Sequence, residues 1–240
     1  MCEEIDVSVV VPIYNEEKTL PKLLERLKQL PSTYELLFVD DGSTDQGKEL
    51  VTEAKIGRVF SHQSRMGKGA AIRTALGFTR GKVVIIQDAD LEYSPSEIPR
   101  IVAPVLNGSC SACYGIRFQK GFPPNMAWPN RIINRLLTLQ VRWLYGHHLK
   151  DEATCYKAVS REVLKNLELN CKGFEFCPEV TAKLLKSGHN IVEIPLQNYK
   201  PRTKKEGKKI RWTDGVLAIY TLWRYRHWRP LKASSAHKQL

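Results

Sequence analysis

The chain has 240 residues, of which 42% are hydrophobic and 26% are charged, and its formal net charge is +12. This composition is typical of a globular protein long enough to bury a sizeable core, and it excludes a disordered or fibrous chain. No apolar run reaches the roughly 18 residues that a membrane span needs, and the first residues do not resemble a cleavable leader. We therefore expect a cytoplasmic protein.

The positive charge is concentrated near the end of the sequence. Residues 200–240 contain twelve lysines and arginines against two acids, which gives this segment a net charge of +10, whereas the preceding 199 residues carry only +2. Whatever anion the protein binds, we expect this basic segment to contribute to binding it.

The first ninety residues alternate strands with helices. Apolar, β-branched runs predict strands at 7–13, 35–39, 58–60 and 82–87. Leucines at helical spacing predict a helix after the first strand, with Asn15 as its N-cap, and a further helix is predicted over 70–78. This alternation predicts an α/β fold with a Rossmann-like, mostly parallel sheet and helices on both of its faces.

The pattern is less regular after residue 95. We expect helices over 98–106, 132–144, 160–167 and 178–187, and strands over 111–116 and 190–195. Residues 1–212 are interpreted as one domain. Residues 213–240 mix aromatic residues with arginines and are interpreted as an appended segment that forms a helix on a membrane surface.

Polar segments follow three of the predicted strands, at 14–16, 40–45 and 88–92. In open α/β sheets the ligand crevice lies beyond the carboxyl ends of the strands. Turns also favour Asp, Gly and Ser for purely structural reasons, so one such segment would carry little weight. Three of them at one edge of the sheet indicate a binding site.

The third of these segments holds three acids at alternate positions, Asp88, Asp90 and Glu92. Crowded carboxylates hold Mg²⁺ or Mn²⁺, which complete their coordination with water and substrate phosphates. A pair of carboxylates is also the acid and base of many hydrolases. The position after an apolar strand favours a functional site over a surface loop.

Three motifs resemble family 2 glycosyltransferases with the GT-A fold: VVPIYNE at 10–16, VDDGSTD at 39–45 and DADLE at 88–92. The resemblance covers roughly residues 7–212. It looks closest to the dolichyl- and polyprenyl-phosphate sugar synthases, on GIRF at 115–118, DEATCYK at 151–157 and the basic loop 202–210.

The resemblance implies a role for each motif on the side of a nucleotide-sugar donor. The base and ribose would be lined by Pro12, Tyr14 and Glu16, with Val39 and Asp41 at the base edge. The diphosphate would lie against Asp88, Ala89 and Asp90, with Mg²⁺ or Mn²⁺ held by Asp88, Asp90 and Glu92. Arg202 and one of Lys208 or Lys209 would close over the diphosphate. Independently of the resemblance, the segment Gly67-Lys68-Gly69 lacks the full P-loop pattern and is interpreted as a turn before a helix, with Lys68 near the nucleotide.

On the acceptor side, the resemblance places Arg117 and Arg131 against the phosphate of a lipid. A phosphate is already nucleophilic near neutral pH, so arginines that orient it matter more than a strong base. Asp151, together with Glu152, is a candidate for a base or for acceptor positioning, and equally for a helix cap or a salt bridge. Glu179 lies in a segment that matches the family near the acceptor.

The sequence thus predicts a metal-dependent inverting glycosyltransferase acting on a polyprenyl or dolichyl phosphate, with a UDP-sugar slightly favoured over GDP-mannose as donor. Two alternatives stay open: a family 2 transferase with a saccharide acceptor, and an inactive nucleotide- or lipid-binding module. Arginines among Trp and Tyr suit an anionic membrane surface, so we expect a peripheral protein at the cytoplasmic face of a membrane. No nucleic-acid-binding module is recognised, and a membrane-anchored partner subunit is left open.

Overall fold

The computed structural model describes residues 4–119, 121–123, 126–202 and 212–230. Within these residues the strands are β1 (Val7–Ile13), β2 (Tyr34–Asp40), β3 (Arg58–Ser61), β4 (Val83–Ile86), β5 (Ala112–Ile116), β6 (Lys157–Ser160) and β7 (Ile191–Pro195). The helices are α1 (Leu20–Leu27), α2 (Gly47–Ala54), α3 (Lys68–Leu76), α4 (Ile98–Leu106), α5 (Trp128–Tyr145), α6 (Arg161–Asn166), α7 (Phe176–Lys186) and α8 (Trp212–Arg224).

The strands form one seven-stranded sheet in the order β3-β2-β1-β4-β6-β5-β7. Strands β1 to β4 are mutually parallel, and β5 is parallel to β7. Strand β6 is antiparallel to both of its neighbours, β4 and β5. The sheet is therefore mostly parallel, as predicted, with one reversed strand in its interior.

Helices cover both faces of the sheet because neighbouring residues of the buried strands point to opposite sides. On one face, Val9 and Val11 pack with the leucines of α1 and with the apolar residues of α4. On the other face, Val10 and Leu37 pack with α3 and with α5 to α8. These two clusters are the core of the described residues.

The carboxyl ends of β1, β2 and β4 lie side by side. Ile13 is aligned with Asp40, the last residue of β2, and Val10 with Ile86, the last residue of β4. Each strand leads directly into one of the three polar segments. The sheet therefore brings together residues that are up to 78 positions apart in the sequence, from Tyr14 to Glu92.

Two local expectations were wrong. Asn15 does not cap α1, which begins at Leu20 after Thr19; Asn15 instead has a left-handed backbone, with φ of 49°. Strand β6 was not predicted. It is four residues long, and it is stabilised by pairing with β4 and β5 rather than by a recognisable local pattern.

Helix α8 packs on the rest of the fold. Ala218 and Leu222 are buried in the same cluster as α5 and α7, and the Gln140 side chain donates a 2.9 Å hydrogen bond to the Ile219 carbonyl. The division at residue 212 stays a prediction. Across the described residues, no helix combines the length and the apolar character that crossing a bilayer requires.

Candidate active site

A cleft lies above the carboxyl ends of β1, β2 and β4. Its lining combines five acids with four basic residues and an apolar and aromatic remainder. The lining residues are Pro12, Ile13, Tyr14, Glu16, Asp41, Arg65, Lys68, Asp88, Ala89, Asp90, Glu92, Tyr93, Arg117, Ala153, Cys155, Phe174 and Arg202.

The first two polar segments hold each other in place. The Asn15 backbone N–H donates to Ser43 Oγ at 3.0 Å, and the Thr44 N–H donates back to Asn15 Oδ1 at 2.8 Å. The Glu17 N–H donates to Asp45 Oδ2 at 2.9 Å. These reciprocal bonds explain the left-handed backbone at Asn15, and they fix the rim that carries Tyr14 and Glu16.

Asp41 organises the loop that leads into α3. Its carboxylate accepts hydrogen bonds from the Met66 and Gly67 backbone N–H groups, at 2.8 Å and 2.7 Å, and lies 2.8 Å from His62 Nδ1. Gly67 has φ of +101°, and a Cβ there would lie 2.3 Å from the Lys172 carbonyl oxygen. Only glycine fits this position, which begins the helix at Lys68.

Lys68 turns its ammonium group into the cleft. Its Nζ lies 2.5 Å from Asp88 Oδ1 and 3.1 Å from Cys155 Sγ, and both charged side chains are only 14% exposed. Burial alone would lower the pKa of Lys68, but the Asp88 carboxylate raises it well above its ordinary value. A permanent positive charge therefore lies against the DAD motif.

Asp90 lies beside this ion pair and has little access to solvent. Burial, together with the charges of Asp88 and Glu92, raises the pKa of Asp90 to about 7. The Glu92 backbone N–H donates to Asp90 Oδ1 at 3.0 Å, which opposes this shift only in part. A carboxylate in this position is stabilised by an additional cation.

Glu92 is hydrogen-bonded to the segment before the basic loop, and its role as a third metal ligand stays a prediction. Its Oε2 accepts from the Tyr199 hydroxyl at 3.0 Å, and its Oε1 accepts from the Arg202 backbone N–H at 2.8 Å. Among the described residues, no group of three or more His, Cys, Asp or Glu side chains has the arrangement of a metal site. Glu92 attaches the segment before the basic loop to the cleft.

Glu16 makes the second attachment of that segment. Both of its oxygens accept from Arg202 Nη1, at 2.7 Å and 3.0 Å. Thr19 Oγ1 donates to Glu16 Oε2 at 3.0 Å and to the Ala89 carbonyl at 2.7 Å, which links the first polar segment to the third. Arg202 is thereby held at the cleft by two acids from different segments.

Arg117 and Asp151 form a bidentate ion pair at the far side of the cleft. Arg117 Nε and Nη2 donate to the two Asp151 oxygens at 2.8 Å and 2.7 Å, and the side chains are 11% and 1% exposed. Burial alone would lower the pKa of Arg117, but Asp151 raises it well above its ordinary value. Arg117 Nη2 also donates to Asn134 Oδ1 of α5 at 3.1 Å.

Residues 8–168 match the profile of Glycosyl transferase family 2. The chain belongs to this family. It is therefore a glycosyltransferase, and the resemblance inferred from the three motifs is confirmed.

Two relatives illustrate the family's range. The polyprenol monophosphomannose synthase of Mycolicibacterium smegmatis is 29% identical over 199 residues, which are 78% of this chain and 75% of that protein. The undecaprenyl-phosphate 4-deoxy-4-formamido-L-arabinose transferase of Aeromonas hydrophila is 33% identical over 168 residues, or 66% of this chain and 50% of the relative. The chain thus spans only half the length of that arabinose transferase. This family 2 glycosyltransferase is similar to polyprenol-phosphate sugar transferases.

Solved structures confirm the GT-A fold. Glucosyl-3-phosphoglycerate synthase from Mycobacterium tuberculosis, in complex with Mn²⁺, UDP and glucosyl-3-phosphoglycerate, superposes with a TM-score of 0.72 at 22% identity, covering 92% of this chain and 79% of that one. The same enzyme in complex with Mg²⁺ and UDP gives a TM-score of 0.71 at 23% identity, with coverage of 92% and 79%. At this identity the likeness concerns the fold.

A divalent ion fits the acid pair of the glycosyltransferase cleft. Asp88 and Asp90 are neighbouring carboxylates with little access to solvent, and burial together with the charges of Asp88 and Glu92 raises the pKa of Asp90. Mg²⁺ is often bound by only one or two carboxylates together with substrate phosphates and water. The described residues contain no group of three or more metal-binding side chains, and a metal bound by two carboxylates and a substrate phosphate does not require one.

The structure does not bring every predicted site residue to the cleft. Val39 is buried in the core below it, and Asp151 is buried behind Arg117. The Arg131 side chain donates to the Met126 and Pro123 carbonyls, at 2.9 Å and 2.8 Å, outside the cleft lining. Lys208 and Lys209 lie outside the described residues.

The sequence analysis missed several lining residues. The Arg65 guanidinium carbon lies 4.4 Å from the centre of the Tyr14 ring, an arrangement that covers one face of the tyrosine. Tyr93, Cys155 and Phe174 also line the cleft. Arg65 precedes the glycine turn at Gly67, and Cys155 lies in the DEATCYK motif at 151–157, so both had a signal in the sequence, whereas Tyr93 and Phe174 had none.

Proposed function

We propose that this chain is a metal-dependent inverting glycosyltransferase that moves a sugar from a nucleotide sugar, UDP in preference to GDP, to a polyprenyl or dolichyl phosphate. The observation that carries the proposal is the contact of Lys68 with Asp88. Next to this pair lies Asp90, whose pKa is raised by burial and by the neighbouring carboxylates. Two carboxylates for a metal and a fixed cation next to them are what a sugar diphosphate requires.

The donor diphosphate is proposed to lie against Asp88, Ala89 and Asp90. These two acids would hold Mg²⁺ or Mn²⁺, which when bound offsets the negative charge that develops on the leaving diphosphate. Lys68 and Arg202 supply further positive charge at the same place. In this proposal Glu92 acts indirectly, because it attaches Arg202 to the cleft.

The nucleoside is proposed to occupy the end of the cleft formed by the first two polar segments. Pro12 and Tyr14 offer apolar contact, and Arg65 stacks on Tyr14. Asp41 lines this end and holds the loop of residues 62–67 in place. Val39 would act from the core, by supporting Asp41.

The acceptor phosphate is proposed to approach Arg117, which also lines the cleft. Arg131 stands on the acceptor side in this proposal, where it donates hydrogen bonds from α5 to the Met126 and Pro123 carbonyls. The relatives support the acceptor class, since their names specify polyprenol and undecaprenyl phosphates. The burial of Asp151 against Arg117 supports an acceptor that needs no strong base.

In the proposed reaction, an acceptor phosphate oxygen attacks the anomeric carbon from the face opposite the diphosphate. The new carbon–oxygen bond forms as the bond to the diphosphate oxygen breaks, so the configuration at this carbon inverts. The nucleoside diphosphate leaves with the electron pair. Arg117 orients the attacking phosphate, and Lys68 and Arg202 stabilise the leaving group.

Extraction of labelled product tests the acceptor class. The protein is incubated with Mn²⁺, labelled UDP-glucose or GDP-mannose, and either a polyprenyl phosphate or an oligosaccharide. We expect label in the organic phase only with the lipid phosphate, and none with Asp90→Asn. Label confined to the aqueous phase would support the saccharide acceptor, and absence of turnover with every donor would support an inactive binding module.

A further inference from the structure

An exposed apolar surface lies on two neighbouring helices, outside the cleft. Of the eleven large apolar side chains that are exposed in the described part of the chain, nine belong to α5 and α8. On α5 they are Trp128, Ile132, Leu136, Leu139 and Trp143, and on α8 they are Val216, Leu217, Tyr220 and Trp223. We call these nine residues the apolar face.

The spacing of these residues places them on one side of each helix. Positions three or four apart, such as Leu136, Leu139 and Trp143, lie above one another along a helix. The opposite side of α5 is buried through Leu137 and Val141. Trp143 is 80% exposed and Trp128 is 71% exposed, which is unusual for the largest apolar side chain.

The two helices lie side by side. A Cβ at Gly215 would lie 2.6 Å from Ile133, and the Tyr145 hydroxyl donates to the Leu222 carbonyl at 2.5 Å. The earlier residue of α5, Ile133, lies near the earlier residue of α8, Gly215, and the later residue, Tyr145, lies near Leu222, so the two helices run in the same direction. The exposed sides of α5 and α8 therefore belong to one layer on the same face of the sheet.

The charge around the apolar face is positive. Helix α5 contains Arg131, Arg135 and Arg142 and no Asp or Glu. At the end of α8, the Arg226 guanidinium carbon lies 3.5 Å from the centre of the Trp223 ring. Tryptophans next to arginines suit the headgroup region of a bilayer, where the rings contact the acyl boundary and the arginines contact lipid phosphates.

We propose that the apolar face formed by α5 and α8 is the surface by which this protein docks on an anionic lipid bilayer. It rests on the proposed function for its purpose, since a polyprenyl phosphate lies in such a surface. The helix α5 adds the larger aromatic contribution, so docking is not a property of the basic C-terminal segment alone. Asn134 of α5 contacts Arg117, so the docking helix also touches the cleft.

Cosedimentation with vesicles tests this proposal. The full chain is mixed with phosphatidylcholine vesicles that either contain or lack phosphatidylglycerol, and the bound fraction is measured. We expect binding only to the anionic vesicles, together with a blue shift of tryptophan fluorescence. The double variant Leu139→Glu/Trp143→Glu should lower partitioning by at least about tenfold, and Arg142→Gln by less.

Phe78→Glu is the matched control, because Phe78 is also exposed, at 47%, but stacks on Phe60 of the edge strand β3. It should bind vesicles like the unaltered protein. Equal binding by the double variant, or no binding by the unaltered protein, would overturn the proposal. Self-association that the double variant abolishes, without vesicle binding, would assign the apolar face to a second copy of the chain and overturn it as well.

A short, water-soluble prenyl phosphate separates this proposal from the proposed function. With this acceptor and no membrane, the double variant should transfer sugar as fast as the unaltered protein. If the unaltered protein fails with both soluble and membrane-embedded acceptors, the proposed function is wrong, whatever the vesicles show. If transfer persists but vesicle binding does not depend on the apolar face, only the docking proposal is wrong.

Discussion

The ammonium group of Lys68 lies 2.5 Å from the Asp88 carboxylate, and both side chains are almost fully enclosed by the cleft. Lys68 is the first residue of α3, and its position depends on the turn at Gly67 that Asp41 holds through two backbone N–H groups. The second polar segment therefore positions a cation against the third. This relationship links two motifs that are separate in the sequence, and it makes Lys68 a part of the proposed donor site.

Lys68→Met should weaken donor binding. The diphosphate loses one cation, and a charge-assisted hydrogen bond contributes about 1.5–3 kcal/mol, so we expect KM for the donor to rise roughly tenfold or more. Affinity for Mn²⁺ alone should rise, because a competing positive charge has left Asp88. Steady-state kinetics and a Mn²⁺ titration measure the two effects.

Lys68→Arg keeps the charge and should retain most donor affinity, and Lys48→Met on the exposed side of α2 should change neither quantity. An unaltered donor KM in Lys68→Met would show that this ammonium does not meet the diphosphate.

Asp151→Asn should destabilise the fold rather than remove a catalytic base. Arg117 would remain buried with its charge uncompensated, which typically costs about 3–5 kcal/mol. Urea unfolding measures this loss. Glu25→Gln, which breaks the exposed pair with Lys28, is the control and should have no measurable effect. If Asp151 acts as a base, the variant would instead keep its stability and lose the acidic limb of its pH–rate profile.

Glu179→Gln should also destabilise the fold, although Glu179 was predicted to lie near the acceptor. Its carboxylate is fully buried, pairs with Lys183 at 2.7 Å, and accepts from the Asn170 and Cys171 backbone N–H groups and the Tyr225 hydroxyl. Loss of the pair leaves the Lys183 charge buried, with a typical cost of about 3–5 kcal/mol. We expect a structural role, because Glu179 holds Asn170 and Cys171 against α7.

The stability that the Glu179 carboxylate contributes should depend on pH. Burial alone would raise the pKa of Glu179, but its hydrogen bonds with Lys183 and with backbone N–H groups lower it below the ordinary value. Its contribution is therefore complete above that ordinary value, about 4.3, and is lost as the pH falls through the lowered pKa. The difference in unfolding free energy between the unaltered protein and Glu179→Gln should therefore be large at about pH 7 and small at about pH 3. A difference of the same size at both pH values would contradict the assignment.

Gly67→Ala should disturb both stability and the donor site. Alanine strains a left-handed position by about 1–3 kcal/mol and would also press on the Lys172 carbonyl. We expect a lower melting temperature and a raised donor KM, because Lys68 is displaced. Gly77→Ala is the matched control, since Gly77 has an ordinary helical conformation and space for a methyl group. Equal behaviour of the two variants would contradict the proposed role of the turn.

The sequence predicted the parallel part of the sheet and the meeting of the three polar segments at one cleft, because both depend on local patterns. Apolar runs marked β1, β2 and β4, and polar motifs marked their carboxyl ends. The antiparallel strand β6 could not be predicted, because its four residues are held by two neighbouring strands that are distant in sequence.

The contacts between side chains were harder to predict from the sequence than the positions of the motifs. The DAD motif indicated a metal, but nothing in the sequence showed that Glu92 would turn to Tyr199 and Arg202, or that Lys68 would reach Asp88. The helical spacing over 132–144 predicted a helix, but a stripe of Leu and Trp usually marks a buried face. That Leu139 and Trp143 are exposed depends on where α8 packs, which is a tertiary property.

The central claim is that Asp88, Asp90 and Lys68 form the site of a metal-bound donor diphosphate. Its most direct test is the thermal stability of the unaltered protein and of Asp90→Asn with UDP or GDP, each with and without Mn²⁺. We predict that UDP with Mn²⁺ raises the melting temperature of the unaltered protein, because ligand bound only to the folded state stabilises it, and that Asp90→Asn folds normally but shows no such rise. An equal rise in both proteins, or no rise with either nucleotide, would contradict the claim.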